Sequence, residues 1–154
     1  MNQNEKFMKA AIKEAKKAYA KGEIPVGAVI VKDNKIIARA HNQKEEKNNP
    51  AMHAEINAII KACKKLKTWR LEGAEMYVTL EPCMMCAGSI VAARMKKVYI
   101  GTMNSKLGYC GSVINLLQQN NEYKVSKEEN ILHDECSELI KDFFKELRKN
   151  KKGI

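Results

Sequence analysis

Apolar residues recur at helical spacing near the start of the chain, where Met8, Ala11, Ile12, Ala15, Ala18 and Tyr19 alternate with lysines. The pattern predicts an amphipathic helix from Asn4 to Lys21, capped by Asn4 and stopped by Gly22. Val26–Val31 and Ile36–Ala40 are short, nearly continuous apolar runs separated by Lys32-Asp33-Asn34-Lys35, which predicts a β-hairpin. Pro25 suits the start of the first strand but not its middle. Gln43 to Pro50 is polar and reads as a loop, after which Ile56, Ala58, Ile59, Ala62, Cys63 and Leu66 carry a helix from His53 to Lys67. Thr68–Gly73 connects onward, with Trp69 read as a core-edge residue. Glu75–Leu80 alternates as a strand, and Met84–Ala93 is a helix with almost no polar face. Lys97–Ile100 is another strand, followed by a glycine-punctuated loop from Gly101 to Ser112 and a short helical turn at Leu116 and Leu117. Tyr123–Val125 reads as an edge strand and Glu135–Lys149 as a last helix, with Leu139, Ile140, Phe143, Phe144 and Leu147 along its apolar stripe. This alternation predicts an α/β class, with helices on both faces of one sheet.

The chain has 154 residues, a length that predicts one domain over 1–154 with a core of its own. No apolar run approaches the ~20 residues of a membrane span, and Met1–Lys6 lacks the pattern of a secretory signal. The expected compartment is the cytoplasm, with no membrane partner. Five cysteines is an odd count, and a disulfide framework is a poor reading of it. The formal net charge of +10 points toward a polyanionic partner such as nucleic acid. Charge alone does not decide this: only Arg39, Arg70, Arg94 and Arg148 are arginines, and lysine excess equally suits a solvated surface.

The chemistry concentrates in Thr79-Leu-Glu-Pro-Cys-Met-Met-Cys86, read with His53-Ala-Glu55. Cys83 and Cys86 have the two-residue gap of paired metal ligands and share one side of a first helical turn. A helix start also favours the thiolate that zinc takes. His53 could supply a third ligand, and Glu55 is a carboxylate beside it that need not bind metal. Three ligands and a nearby acid are what a hydrolytic zinc site needs, because the fourth position must stay open for water. A CxxC alone is weak evidence, but a zinc ribbon needs a second one and a redox pair leaves His53 and Glu55 unexplained. Cys63 lies ten residues beyond His53, about 15 Å along a continuous helix, so both cannot reach one ion.

His-x-Glu followed by Pro-Cys-x-x-Cys is the known signature of zinc nucleobase deaminases. Pro25-Val-Gly-Ala28, Ala40-His-Asn42, His53-Ala-Glu-Ile56, Tyr77-Val-Thr-Leu-Glu-Pro-Cys-Met-Met-Cys-Ala-Gly88 and Asp142-Phe-Phe144 extend the likeness over nearly the whole chain. In these residues the chain resembles the bacterial tRNA-specific adenosine deaminases, within the cytidine-deaminase-like superfamily. The resemblance implies a three-layer α/β/α fold with one mixed sheet of about five strands. It implies one Zn(2+) per subunit held by His53, Cys83 and Cys86, with Glu55 as the catalytic proton carrier and adenosine-to-inosine conversion as the reaction. The implied substrate is the wobble adenosine of an arginine tRNA, and the implied assembly is a homodimer. Asn42 matches the position that hydrogen-bonds the flipped base. Asn104 departs from the aspartate common in the family, and a neutral amide there is expected to weaken discrimination against single-stranded DNA. Phe143 or Phe144 is expected to stack near the anticodon, with at least one of the two in the core, and Lys106, Lys145, Arg148 and Lys149 are expected to meet phosphate. Two rivals share parts of this pattern: a deaminase of a free base or nucleoside, and a nucleic-acid-binding module with a structural zinc.

Overall fold

The computed structural model describes residues 1–119 and 122–152. The first helix, α1, spans Gln3–Ala20 and begins one residue earlier than its apolar pattern suggests. Asn2, not Asn4, is the cap: its side chain accepts from the Glu5 amide at 2.8 Å while Glu5 accepts from the Asn2 amide. Asn4 instead accepts the Tyr77 hydroxyl at 2.7 Å, tying the helix to the sheet.

Strands β1 (Gly27–Lys32) and β2 (Lys35–His41) form the expected hairpin. Asp33 and Asn34 both take positive φ at its tip, which their short polar side chains tolerate. Helix α2 is Ala54–Leu66, strand β3 is Glu75–Leu80, helix α3 is Met84–Ala92 and strand β4 is Lys97–Thr102. A 3-10 turn at Leu116–Gln118 precedes β5 (Ser126–Glu128), and α4 runs His133–Lys152.

The edge strand lies three residues beyond the Tyr123–Val125 expectation. The Tyr123 hydroxyl donates to the Arg94 and Met95 carbonyls and the Val125 amide to Leu117, so that apolar segment is held outside the ladder. Trp69 also departs from its reading as a core-edge residue. It is 55% exposed, with the Arg70 guanidinium 4.7 Å from its ring centroid.

The five strands form one mixed sheet in the order β2-β1-β3-β4-β5, antiparallel on the β1 side and parallel across β3, β4 and β5. Alternate residues sort to opposite faces, as the strand period requires. Ala28, Ile30, Met76, Val78, Val98 and Ile100 pack with α2 and α3, while Val29, Val31, Tyr77 and Tyr99 pack with α1 and Cys136 of α4. The result is a three-layer α/β/α fold of the cytidine-deaminase-like type. Among the described residues, no helix is long and apolar enough to cross a membrane.

Candidate active site

Two helix starts make the site. His53 is the cap residue of α2 and Cys83 that of α3, both with extended backbone and neither side chain spent on capping. At a cap position the side chain escapes the helical array and can turn toward a neighbour. His53 Nδ1 lies 3.6 Å from Cys83 Sγ and 3.5 Å from Cys86 Sγ. A tetrahedral zinc with Zn–S of about 2.3 Å and Zn–N of about 2.0–2.1 Å separates nitrogen from sulfur by about 3.6 Å. The spacing therefore fits a zinc ion, and the soft donor set suits one. Among the described residues, this is the one group of three such side chains gathered closely enough to hold a metal. Cys63 is not part of it; its thiol faces the Trp69 carbonyl instead.

The three donors share protons unequally. Hydrogen bonds from Cys86 and then His53 draw the Cys83 thiol down to about 4, against the effect of burial. The same contact with Cys83, joined by burial, pushes Cys86 up. His53 is raised by its bond to Cys83, with burial opposing. A thiolate and protons shared among clustered donors form a site where a divalent cation displaces protons. Glu55, in the first turn of α2, is 4% exposed, and burial pushes its carboxyl up to about 7. A backbone hydrogen bond and His53 oppose that rise.

His53, Glu55 and Cys83 open into a cavity of about 490 Å³. Asn42, Asn104, Lys106 and Phe144 line the same cavity, so these four expected positions are brought together with the metal donors. The buried Asn42 is fixed on both ends of its amide, donating to the Ile24 carbonyl at 3.2 Å and accepting from the Lys44 amide at 3.1 Å. One amide proton and one oxygen lone pair remain for a ligand. Asn104 uses its side-chain oxygen to accept from the Lys106 and Leu107 amides, at 3.3 and 3.2 Å. That oxygen shapes a turn, a task an aspartate would perform equally well. Phe143 is buried with its ring edge-on to Tyr19, which leaves Phe144 as the member of the pair facing the cavity.

Arg148 is exposed on α4 and outside the lining of this cavity. Lys145 and Lys149 border a separate shallow hollow with Tyr19, Asp142 and Glu146. Two lysines that residue pattern did not single out do line the cavity: Lys44, from the loop after β2, and Lys141, one turn before Phe144. Glu81 was also passed over, although its place directly before Pro82-Cys83 was the available signal. Its buried carboxylate accepts the Asn104 and Cys110 amides at 2.9 Å, the Ser112 amide at 3.0 Å and the Ser112 hydroxyl.

Residues 1–148 match the MafB19-like deaminase family. The chain is 51% identical to the tRNA-specific adenosine deaminase of Bacillus subtilis (strain 168), over 99% of this chain and 96% of that protein. A solved structure from studies of A-to-I editing by tRNA:A34 deaminases at the wobble position of transfer RNA superposes with a TM-score of 0.84. It is 38% identical over 87% of this chain and 98% of its own. A Bacillus subtilis guanine deaminase superposes with a TM-score of 0.63, at 44% identity over 67% of this chain and 66% of its own. The chain belongs to the tRNA-specific adenosine deaminase family of hydrolytic deaminases.

Proposed function

We propose that this chain is a single zinc-dependent deaminase domain, residues 1–154, that converts the wobble adenosine of tRNA to inosine in the cytoplasm. The substrate proposed is an arginine tRNA with an ACG anticodon, and the working unit is a homodimer. One observation carries the reading: a buried carboxyl, Glu55, sits beside a His-Cys-Cys metal site on a cavity ringed by Lys44, Lys106 and Lys141. Zinc held by His53, Cys83 and Cys86, one per subunit, would supply acidification of water from a pKa of ~15.7 toward ~7.

Glu55 then serves as the proton carrier. It accepts a proton from the attacking water, delivers one to the purine ring nitrogen, and finally serves the departing ammonia as C6 gains its oxygen. Its burial, at 4% exposure, limits contact between the carboxyl and bulk water. Asn42 holds the flipped base through its free amide proton and lone pair, and Phe144 offers a face for stacking. Lys44, Lys106 and Lys141 meet backbone phosphates, and Arg148, four residues beyond Phe144 on α4, extends that track along the stem.

The similarity to a guanine deaminase favours one rival, deamination of a free purine at the same metal. The net charge of +10 and the lysines at the cavity argue for a polyanion instead. The deciding experiment offers the zinc-loaded protein an unmodified ACG tRNA transcript, free guanine and free cytidine in parallel. Inosine at the wobble position with both small molecules unchanged is the expected result. Guanine turnover with the transcript untouched would transfer the assignment to the free-purine reading.

A further inference from the structure

One wall of the cavity is a loop, and its shape depends on one buried side chain. Asn104, Ser105, Lys106 and Leu107 all face the cavity, yet the loop from Asn104 to Ser112 holds no regular strand or helix of its own. Glu81 reaches into it from the end of β3. One carboxylate oxygen accepts the Asn104 amide and the Ser112 hydroxyl, the other the Cys110 and Ser112 amides. All four partners are donors, so the carboxylate closes both ends of the loop on one acceptor group. Gly108 makes room for it, since a β-carbon there would stand 2.1 Å from the Glu81 carboxyl carbon. The adjoining chain is tied as well: the Glu81 amide donates to the Thr102 carbonyl at 2.8 Å, and the Tyr109 amide to the Pro82 carbonyl at 2.9 Å. Residue 81 thus joins the segment that presents Cys83 to the loop that faces the substrate.

We propose that Glu81 is a positioning residue that holds the 104–112 loop in register with the metal centre and thereby sets affinity for the nucleic-acid substrate. The inference rests on the tRNA reading of the same site. Glutamine at this position keeps the shape but replaces one acceptor oxygen with an amide that turns its own hydrogens toward N–H donors. At least one amide bond is then lost, that of Asn104, because the Ser112 hydroxyl can turn to accept from the new NH2, while His53, Glu55, Cys83 and Cys86 are untouched.

The test compares wild type with Glu81→Gln and with Ser112→Ala, a milder change that deletes one donor. Each is measured for bound zinc, for amide hydrogen exchange across 103–113, and for kcat and KM on an ACG anticodon stem-loop. For Glu81→Gln the expected result is one zinc per chain, faster exchange confined to the loop, and a KM raised about tenfold or more, the scale of one lost charge-assisted hydrogen bond. The expected kcat stays within about threefold of wild type, since the reacting groups do not move. Ser112→Ala should shift KM and exchange in the same direction by less. Unchanged exchange and KM would overturn the proposal, as would zinc loss or a kcat that falls while KM holds. A wild-type protein that leaves the stem-loop unconverted would instead overturn the tRNA reading. The exchange and zinc measurements would then decide the clamp by themselves.

Discussion

The residues of the site are ordinary, and their positions make them reactive. His53 and Cys83 each sit where a helix begins, so side chains 30 residues apart in sequence meet at 3.6 Å. Residue type and spacing were enough to single out His53, Cys83 and Cys86, which the structure gathers closely enough to hold a metal, with Glu55 beside them. Glu81 was not found that way: its partners lie 23 to 31 residues downstream, and its place before Pro82-Cys83 was the one local hint. Glu14 is a similar case on α1. It is buried, with Lys17 Nζ at 2.7 Å and His41 Nδ1 at 3.3 Å. Burial raises its pKa, but the bonds to Lys17 and His41 outweigh it and leave the group below its ordinary value. A carboxyl lowered in the folded state contributes stability that is complete above its unfolded pKa and lost as pH falls through the folded one. Glu14→Gln should therefore cost about 1–2 kcal/mol at neutral pH, read by urea unfolding. The difference from wild type should shrink once the pH drops below about 4.5. A penalty that stays constant down to acid pH would show that the charge contributes nothing.

At the scale of elements, α1, α2 and α4 were readable because each carries a clear apolar period, and the hairpin because its turn chemistry is strong. β5 was misplaced for a physical reason: a three-residue edge strand carries too few side chains to show alternation, and buried Val125 imitates one. Helix α1 approaches β1 closely at Gly27. A β-carbon at Gly27 would lie 2.0 Å from the Ala11 carbonyl oxygen and 2.4 Å from the Ala15 amide nitrogen, both helix backbone. Backbone cannot rotate aside as a side chain can, so Gly27→Ala must push α1 off the sheet. The expected cost is about 3 kcal/mol or more, measured as a lower urea midpoint. A variant as stable as wild type would mean that α1 does not pack this closely.

At the scale of the molecule, strand order and the meeting of the two helix starts follow from long-range pairing that periodicity does not encode; the family resemblance supplied the layered class and the ligand set but not the strand order. The proposed homodimer would draw on the surface instead. Ile60 on α2, Met84 and Met85 on α3, and Val113 and Ile114 in the loop after β4 remain exposed, with Met84 at 61%. Exposed apolar groups on the outer side of one helical layer are what a second copy of the chain would cover. Sedimentation equilibrium should give twice the chain mass, and Ile60→Glu should lower it with the circular dichroism unchanged. A wild-type monomer at micromolar concentration would contradict the dimer. The central claim, that Glu55 beside a His-Cys-Cys zinc site deaminates tRNA, is tested most directly by inosine formation in the ACG tRNA transcript. Wild type and Glu55→Gln should carry equal zinc, and the variant should be slower by about 10²–10⁴-fold, the range of a lost general acid–base. Conversion at the wild-type rate by a zinc-loaded Glu55→Gln protein would contradict the mechanism outright.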